Sequence, residues 1–326
     1  MMGITTTVPL EILLAAGRRT LDLNNLFITD PSPHMLIARA ERDGFPRNSC
    51  NWIKGLYSTA LREGIEEMIA VSEGDCSNSK ALMAVLRFKG VASYQFGYPA
   101  DRQRASLQAE LDRLAAHVGA SPAAIRRAQE QLHAIRRQVH EIDRLTWETQ
   151  QVRGDENHYY QVCTSDMNGD PDSFAAEVDR FVAEARQRAP LADALRLGYI
   201  GVPPIFTDLY PTLEAQGARV VFNEVQRQFS MPGPVVDLAE QYLRYTYPYD
   251  IDARLEDIDR EIRRRKLQGI IHYVQSFCFR QIEDIVIRSR LKVPVLTLEG
   301  DQPGPLDARS RIRLESFVCM LKGQDA

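Results

Sequence analysis

The sequence predicts an α/β protein with two Rossmann-like lobes, each a doubly wound parallel sheet. Segments rich in β-branched and aromatic residues alternate with segments whose apolar residues recur at helical spacing, a pattern typical of alternating strands and helices. The alternation occurs twice, before and after about residue 190. A chain of 326 residues is also long enough to bury two cores of ordinary size. We therefore expect an N-terminal lobe at residues 1–190 and a C-terminal lobe at residues 191–326.

The first lobe contains two strands that are visible in the sequence. After an apolar stretch at residues 8–15, a helix follows Cys50 in CNWIKGLYSTALREG, and the strand IEEMIAVSEG leads to the helix SKALMAVLRFKG and the strand VASYQFGYP. Parallel sheets of this kind bind ligands beyond the carboxyl ends of their strands. Cys76 lies between such a strand and the next helix, so we expect it at the ligand-binding edge.

A helical hairpin is predicted as an insertion in this lobe, at about residues 101–145. Its apolar residues recur at helical spacing, the pattern breaks at Gly119, and Ser121 and Pro122 are typical of the start of a second helix. Its arginines alternate with acids, which favours a solvated face over an anion site. The next segment, RGDENHYYQVCTSDMNGDP, predicts a loop or a short irregular segment, and another helix follows at about residues 173–188.

The second lobe repeats the alternation more regularly. We predict strands in LRLGYIGV, ARVVFNE, GIIHYVQSF and VPVLTLEG, and helices at residues 207–216, 251–266, 281–290 and 309–322. Cys278 falls at the end of the third of these strands, directly before a helix. Cys76 and Cys278 therefore occupy equivalent topological positions in the two lobes.

Composition and missing motifs argue against several classes of function. Lys and Arg total 40 against 44 Asp and Glu, so the chain has no general attraction for nucleic acid or an anionic membrane. The sequence contains no P-loop motif, no G-x-G-x-x-G after a strand, no G-x-S-x-G and no H-E-x-x-H, and its six histidines lack metal-ligand spacing. No apolar run reaches the ~20 residues that span a bilayer. No basic region precedes the first apolar stretch, so we expect a cytoplasmic protein.

Five cysteines are spread over the chain, an odd number that favours reduced thiols over a disulfide framework. Cys50, Cys76 and Cys278 each precede a predicted helix, where unpaired N–H groups and the positive end of the helix dipole lower the pKa of a thiol and favour metal ligation. Cys163 in the predicted loop and Cys319 on the apolar face of the last helix are expected to be small buried hydrophobic residues.

Three thiols without a C-x-x-C pair do not define a metal site by spacing alone. If they converge, their soft sulfur atoms favour an iron–sulfur cubane or zinc over a hard cation. Three protein ligands leave one corner of a cubane open. An iron at that corner can bind an oxygen donor as a Lewis acid while the cluster supplies one electron.

Several segments resemble the 2-hydroxyacyl-CoA dehydratase and benzoyl-CoA reductase family, and the likeness to its D-component covers most of the chain. The likeness is strongest in SCNWIKGLYSTAL, VSEGDCSNSKALMAVL, FCFRQIEDIVIR and VPVLTLEGDQPGPLDARSRIRLESF, and extends to VPLEILLAAGRRTLDL near the N-terminus. The resemblance implies one [4Fe-4S] cluster per chain, held in the cleft between the lobes by Cys50, Cys76 and Cys278. Relatives with a double cubane need about twice as many thiolates, so we expect a single cubane.

The resemblance also implies an enzyme subunit, either a 2-hydroxyacyl-CoA dehydratase-like lyase or an acyl-CoA reductase. Such enzymes are oxygen-sensitive and carry out radical chemistry with a low-potential electron on an acyl-CoA thioester. A separate ATP-dependent activator, itself an iron–sulfur protein, supplies the electron, and the second subunit is a homologue or another copy of the chain. Two alternatives stay open: an electron-transfer or scaffold iron–sulfur subunit that touches no substrate, and a reductase of small molecules without CoA.

Other polar residues at the predicted strand ends are candidates for supporting roles. Ser77, Asn78 and Gln281 are candidates to donate hydrogen bonds to cluster sulfurs, although Ser77 and Asn78 equally suit the cap of a helix. His272 lies in an apolar strand, where a hydrogen-bonded core histidine is the more common outcome and catalysis the lesser alternative. Ser77, His272 and Glu299 are the candidate catalytic residues.

The end of the last strand carries acids and arginines with two interpretations each. Glu299 and Asp301 suit a base or an orienting group, or else the cap of the helix that begins near Asp307. The arginines of the last helix suit a CoA phosphate, but a solvated helix face is favoured. These are Arg309, Arg311 and Arg313.

Overall fold

Two four-stranded parallel sheets form the framework of the protein in a computed structural model that describes residues 1–324. The strands are β1 (Met2–Ile4), β2 (Thr20–Asp22), β3 (Glu67–Glu73), β4 (Ala92–Gly97), β5 (Leu195–Ile200), β6 (Ala218–Asn223), β7 (Gly269–Gln275) and β8 (Val295–Gly300). Their order is β2-β1-β3-β4 in the first sheet and β6-β5-β7-β8 in the second, so both lobes share one topology. The predicted α/β fold with two Rossmann-like lobes is confirmed.

Helices connect and cover the strands. They are α1 (Leu10–Ala15), α2 (Leu23–Ile28), α3 (Pro33–Arg42), α4 (Asn51–Arg62), α5 (Ser79–Phe88), α6 (Arg104–Val118), α7 (Pro122–Trp147), α8 (Gly154–Cys163), α9 (Pro171–Ala185), α10 (Leu209–Ala215), α11 (Glu224–Phe229), α12 (Leu238–Arg244), α13 (Ile251–Arg265), α14 (Asp284–Arg290) and α15 (Ala308–Gln324). Short 3-10 turns lie at Met167–Gly169 and Phe279–Glu283. No helix in the described part of the chain combines the length and the apolar character that crossing a bilayer requires.

The helical hairpin is present as α6 and α7. Gly119 ends α6 in the left-handed conformation at φ 75°, and the Ser121 hydroxyl accepts the backbone N–H of Ala124 at 3.3 Å at the start of α7. Helix α7 continues past the predicted end of the hairpin to Trp147, whose carbonyl accepts a hydrogen bond from Arg196 at 2.7 Å. The hairpin therefore also contacts the second lobe through this hydrogen bond.

The core of the first sheet contains side chains from a late part of the chain. Ile4, Ile69 and Phe96 pack in one buried cluster with Tyr242 and Tyr245, which lie on and directly after α12. Burial of large aromatic side chains is strongly stabilising. The two lobes are therefore held together by a shared hydrophobic core as well as by the chain connection.

The segment before α9, predicted as a loop or short irregular segment, forms α8 over Gly154–Cys163 and is irregular only after that helix, so the prediction is wrong for its first part. The Glu156 side chain accepts the backbone N–H of Arg153 at 2.9 Å and so caps the start of this helix. Its buried face is polar: Asn157 and Gln161 donate to the Asp143 carboxylate at 3.0 and 3.1 Å. A helix that buries amides on a carboxylate has no apolar stripe, so its sequence shows no amphipathic period.

The apolar stretch at residues 8–15, for which the sequence analysis gave no helix or strand, contains α1, and two strands of the first sheet and four further helices were missed. Strands β1 and β2 are three residues each, too short to show an alternating pattern. The missed helices are α2, α3, α11 and α12. Of these, α2 and α11 have six residues, fewer than two turns. The helix predicted at residues 281–290 is an α-helix only from Asp284 onward and begins as a 3-10 turn.

Candidate functional site

A cavity of about 150 Å³, here called the interlobe cavity, lies at the carboxyl ends of both sheets. Its lining follows the strands: Thr5 and Thr6 after β1, Asp22 at the end of β2, Asn24 and Asn25 on α2, Asp75 and Cys76 after β3, residues 202–204 after β5, and Gln275 with residues 277–280 at and after β7. In each sheet the chain runs from its first strand outward in both directions, so β1/β3 and β5/β7 are topological switch points. Ligands of open α/β sheets bind at such points.

The thiols of Cys50, Cys76 and Cys278 all line the interlobe cavity. Cys50 precedes α4, Cys76 follows β3, and Cys278 follows β7, so both lobes contribute. The Cys76 thiol is close enough to the other two for their charges to affect its pKa. Three cysteines that are distant in sequence therefore meet in one place.

Each of these thiols lies just before a helical turn, whose backbone N–H groups act to lower its pKa. These groups belong to Ile53 and Trp52 for Cys50, to Asn78 for Cys76 and to Arg280 for Cys278. N–H groups directed at a sulfur stabilise a thiolate.

The predicted lowering of the thiol pKa values is wrong for the free side chains. Burial raises the pKa of Cys50 to about 11 and raises the pKa values of Cys76 and Cys278, and these effects outweigh the backbone donors. The neighbouring Asp75 carboxylate raises the pKa of Cys76 further. Without a bound cation the thiols are therefore protonated at neutral pH, and metal binding releases protons from them.

The donor set of the interlobe cavity consists of three soft sulfur atoms, the ligands that iron–sulfur clusters and zinc prefer. Among residues 1–324, no group of three or more His, Cys, Asp or Glu side chains is arranged to hold one ion. A tetrahedral zinc needs its sulfur ligands about 2.3 Å from a single point. In a cubane each thiolate binds a different iron, so the ligand sulfurs stand farther apart.

Four buried polar atoms of the cavity lining have no hydrogen-bond partner within the described chain. They are Ser79 Oγ, Trp52 Nε1, His158 Nδ1 and Arg280 Nε. A buried polar atom that stays unpaired costs about 1–3 kcal/mol. The lining is therefore suited to a bound group that offers both donors and acceptors.

One wall of the cavity carries an acid, a phenol and a guanidinium beside the thiols. The Tyr247 hydroxyl donates to Asp75 Oδ1 at 2.8 Å, and Arg280 Nη2 donates to the Tyr247 carbonyl at 2.8 Å. The Arg280 guanidinium also stacks 4.6 Å from the centre of the Tyr247 ring. Burial raises the pKa of the Asp75 carboxyl. This wall therefore places one positive charge, the Arg280 guanidinium, beside the thiols of the cavity.

A second polar region of the lining lies at the end of β2. Asp22 Oδ1 accepts the backbone N–H of Asn24 at 2.9 Å and its side-chain amide at 2.7 Å. The backbone N–H of Asp22 donates to Asp166 Oδ2 at 2.7 Å. Burial raises the pKa of both carboxyls, and with the charge of Asp22 it raises the pKa of Asp166 to about 7.

Of the predicted supporting residues, Ser77 and Asn78 line the cavity and Gln281 lies next to it. Neither Ser77 nor Asn78 caps α5 with its side chain, so the capping alternative is wrong. The Gln281 amide donates to the Gln275 carbonyl at 2.7 Å and so fixes the turn that follows β7. His272 is 1% exposed, contacts Asp284 Oδ1 through Nδ1 at 2.7 Å, and is not among the described residues that line the cavity.

Glu299 and Asp301 do not cap the last helix. Asp307 caps α15 instead, because its Oδ1 accepts the backbone N–H of Ser310 at 2.8 Å. Glu299 is exposed and accepts a hydrogen bond from the Ser276 hydroxyl at 2.8 Å. Asp301 Oδ1 accepts a hydrogen bond from the side-chain amide of Asn51 at 3.0 Å.

The three arginines of α15 make mainly local contacts. Arg311 pairs with Asp208 at 2.6 Å, and Arg313 Nη2 donates to the Thr297 carbonyl at 2.8 Å. Arg309 is exposed on the helix surface. These contacts agree with the favoured interpretation, a solvated helix face.

The two remaining cysteines lie away from the cavity. Cys163 is buried, as predicted, but it is the last residue of α8 and does not lie in a loop. Cys319 is exposed on α15, so its predicted burial is wrong. Neither is among the described residues that line the cavity.

The sequence interpretation missed the polar lining around Asp22, Asp75 and His158. Asp22 ends a strand too short to detect, and His158 lies in the segment that was taken as a loop. The available signal was the position of Asp75, which directly precedes Cys76 at a predicted strand end.

A family model described as 2-hydroxyglutaryl-CoA dehydratase, D-component, matches residues 5–321. The chain belongs to this family. The matched span includes all three cysteines of the interlobe cavity, and the resemblance seen in the sequence is confirmed. Membership of the D-component family identifies a component of the dehydratase type, consistent with a lyase subunit. No curated protein matches the chain.

Proposed function

We propose that the chain is the iron–sulfur subunit of a 2-hydroxyacyl-CoA dehydratase-type enzyme and that Cys50, Cys76 and Cys278 hold one [4Fe-4S] cluster. The observation that carries this proposal is the convergence of these thiols from both lobes in the interlobe cavity, each just before a helical turn. Membership of the D-component family supports it. The unpaired polar atoms of the lining support a bound group in the same place.

The proposed substrate is a 2-hydroxyacyl-CoA thioester that loses water. When bound, a cluster with three protein ligands supplies a low-potential electron and an open iron site for an oxygen donor. The chain itself provides a small enclosed space for the acyl end, with Arg280 and Tyr247 on one wall and Asp22 at the end of β2. Enclosure excludes water and strengthens these polar interactions.

Two partners belong to this proposal. An ATP-dependent activator, itself an iron–sulfur protein, delivers the electron, which is consistent with the absence of a P-loop motif in this sequence. A second subunit, either a homologue or another copy of the chain, completes the enzyme. The D-component family supports an assembly of this type.

Anaerobic reconstitution with iron and sulfide tests the cluster. We expect about four irons and four sulfides per chain. The variants Cys50→Ala, Cys76→Ala and Cys278→Ala should each lose most of this iron. Cys319→Ala is the matched control, because this thiol is exposed and remote from the cavity lining, and it should bind iron as the wild type does. Binding of zinc only, or full iron content in the three cavity variants, would refute the cluster.

Substrate binding separates a catalytic subunit from an electron-transfer subunit. An acyl-CoA that enters the interlobe cavity should shift the EPR signal of the reduced cluster, because its oxygen atoms approach the open iron. A short 2-hydroxyacyl-CoA is the probe, and CoA without an acyl group is the control. An unchanged signal with no measurable binding would support the electron-transfer alternative.

A further inference from the structure

The lining of the interlobe cavity offers little positive charge to a ligand. Among the described residues that line it, Arg280 is the only Lys or Arg. His158 also lines it, but burial lowers the pKa of its ring to about 4, so it is neutral at pH 7. Lys54 follows the lining residue Ile53 on α4, but its Nζ donates to Glu41 Oε1 at 2.8 Å. The cavity therefore has one source of positive charge.

The charge of Arg280 is already compensated within the chain. Its Nη2 donates to the Tyr247 carbonyl at 2.8 Å, and its Nη1 donates to the Glu283 carboxylate at 3.3 Å. Glu283 also pairs with Arg254, which pairs in turn with Glu224, so two arginines face two acids. Arginine binds a carboxylate most strongly with two nitrogens at once. The one nitrogen of Arg280 without a partner, Nε, suits a single neutral oxygen.

Two carboxyls of the lining act against a bound anion. They belong to Asp22 and Asp75, and burial raises the pKa of both. An ionised carboxyl repels a carboxylate, and a protonated one supplies no positive charge to it. The cavity thiols add negative charge when they bind a metal, because the thiolate is the ligand. A carboxylate that enters this space therefore loses its hydration without gaining a counter-charge, which is costly.

Much of the remaining lining is apolar and comes from both lobes. Apolar side chains around an enclosed space favour a ligand that removes apolar surface from water. The contributors are Ile28 on α2, Ile53 and Leu56 on α4, Val162 on α8, Val202 after β5 and Phe229 on α11.

We propose that the substrate of this chain is a 2-hydroxyacyl-CoA with an uncharged, apolar acyl chain, and that the interlobe cavity discriminates against a second carboxylate. This assignment rests on the proposed dehydratase function and narrows its substrate class. Such a substrate differs from 2-hydroxyglutaryl-CoA, which is named in the description of the matching family model and whose acyl chain ends in a carboxylate. The unpaired Ser79 Oγ and Trp52 Nε1 suit the hydroxyl and thioester oxygens that both compounds share.

Two acyl-CoA thioesters of matched shape test the proposal on the reconstituted enzyme with its activator. They are 2-hydroxyglutaryl-CoA and 2-hydroxy-5-methylhexanoyl-CoA, in which two methyl groups replace the two carboxylate oxygens. We expect kcat/KM to be higher for the neutral compound by about 100-fold or more, because the carboxylate is buried without a partner. Calorimetric binding to the reconstituted protein without activator should show the same order of affinity.

A cation placed in the apolar lining should weaken or reverse this preference. Ile28 is half-buried in the lining, and Ile28→Lys should raise kcat/KM for 2-hydroxyglutaryl-CoA relative to the neutral compound by about 10-fold or more, because the carboxylate gains a partner. Ile28→Met adds a side chain of similar length without charge and should keep the preference of the wild type. Val162→Lys places the same charge on α8 and repeats the test if Ile28→Lys does not fold.

The outcomes separate the substrate class from the function. Equal or higher kcat/KM for 2-hydroxyglutaryl-CoA in the wild type overturns the proposal and leaves the dehydratase function intact. Equal shifts in Ile28→Lys and Ile28→Met also overturn it, because the preference then depends on shape and not on charge. A wild type with full iron content that neither binds nor dehydrates either compound overturns the proposed function itself.

Discussion

The side-chain amide of Asn51 donates to Asp301 Oδ1 at 3.0 Å and to the Asp301 carbonyl at 3.1 Å. This contact ties the first turn of α4 to the end of β8 and so joins the two lobes beside Cys50. The Gln275 amide reaches the same carbonyl at 3.3 Å. These contacts fix Cys50, in the first lobe, relative to β7, the strand that precedes Cys278.

Asn51→Ala should speed the loss of iron from the proposed cluster while lowering the free energy of unfolding only slightly. Loss of these hydrogen bonds should cost about 1–2 kcal/mol of unfolding free energy. Because Cys50 follows the position of α4, iron should leave the variant faster when a chelator is added. Gln108→Ala, which removes an exposed hydrogen bond with Asp112, is the control. Equal chelation rates in the two variants would contradict this role for Asn51.

Gly201, directly after β5, is predicted to tolerate no side chain. Its φ is 95°, and a β-carbon would lie 2.3 Å from the Tyr273 carbonyl oxygen on β7. Gly201→Ala should therefore force β5 and β7 apart at the switch point and destabilise the protein by several kcal/mol, which urea unfolding measures.

Gly119→Ala is the matched control for this prediction. Gly119 has a similar positive φ of 75° at the end of α6, but nothing lies within 4 Å of its β-carbon position. It should lose only about 1 kcal/mol, the cost of the left-handed conformation. Similar losses in both variants would mean that the close approach to Tyr273 is unimportant.

The resemblance to the family predicts that Cys50, Cys76 and Cys278 meet between the lobes, whereas their spacing alone leaves a shared site open. The sequence does not reveal the buried carboxyls Asp22 and Asp166, because they lie 144 residues apart and neither belongs to a recognisable motif. Helix α8 is hidden for a different reason, since its buried Asn157 and Gln161 look like surface residues in the sequence. Helix dipoles were expected to control the thiols, but burial has the larger effect.

Arg136→Leu should strongly destabilise the protein at pH 7. Arg136 is 1% exposed and pairs with Glu11, which is fully buried, so the variant leaves a carboxylate unpaired at a cost of about 3–5 kcal/mol. Burial acts to raise the pKa of Glu11, but the charge and hydrogen bond of Arg136 hold it below its ordinary value of 4.5. A depressed pKa stabilises the fold above the pKa of the unfolded chain, and this contribution disappears as the pH falls.

The stability gap between the wild type and Arg136→Leu should therefore narrow from pH 7 to below pH 4.5, as measured by urea unfolding at each pH. Arg104→Leu provides the control, because its partner Asp237 is half exposed and the pair is worth at most about 1 kcal/mol. A gap that stays constant with pH would show that the ion pair with Glu11 is not the source of the loss.

Asp166 should make the protein less stable as the pH rises. Its pKa in the fold, raised to about 7 by burial and by Asp22, exceeds the ordinary 3.8 of a free carboxyl. Between these values the unfolded chain releases a proton that the fold retains, so the free energy of unfolding falls with increasing pH, by an amount on the order of 4 kcal/mol. Below pH 4 both states are protonated and the effect vanishes.

Asp166→Asn should remove this decline, so its stability relative to the wild type should improve between pH 4 and pH 8. Urea midpoints at the two pH values measure the change. Asp172→Asn, whose carboxyl is exposed and accepts only a Gln131 amide, should follow the wild type. Parallel curves for Asp166→Asn and the wild type would place the pKa of Asp166 near its ordinary value.

Phe277 combines backbone strain with a position at the opening of the interlobe cavity. Its φ is 65°, in the left-handed region, and its side chain lines the cavity while 54% exposed. Phe277→Gly should relieve the strain and raise the free energy of unfolding by about 1 kcal/mol. The same change removes the ring from the opening, so oxygen should bleach a reconstituted cluster faster, as followed by visible absorbance in air.

The variant Phe277→Ala separates the two effects, because it removes the ring but keeps the β-carbon. Its cluster should bleach as fast as that of Phe277→Gly, without the gain in stability. Slow bleaching in both variants would show that the ring does not shield the cavity, and equal stabilities would show that the positive φ carries no strain.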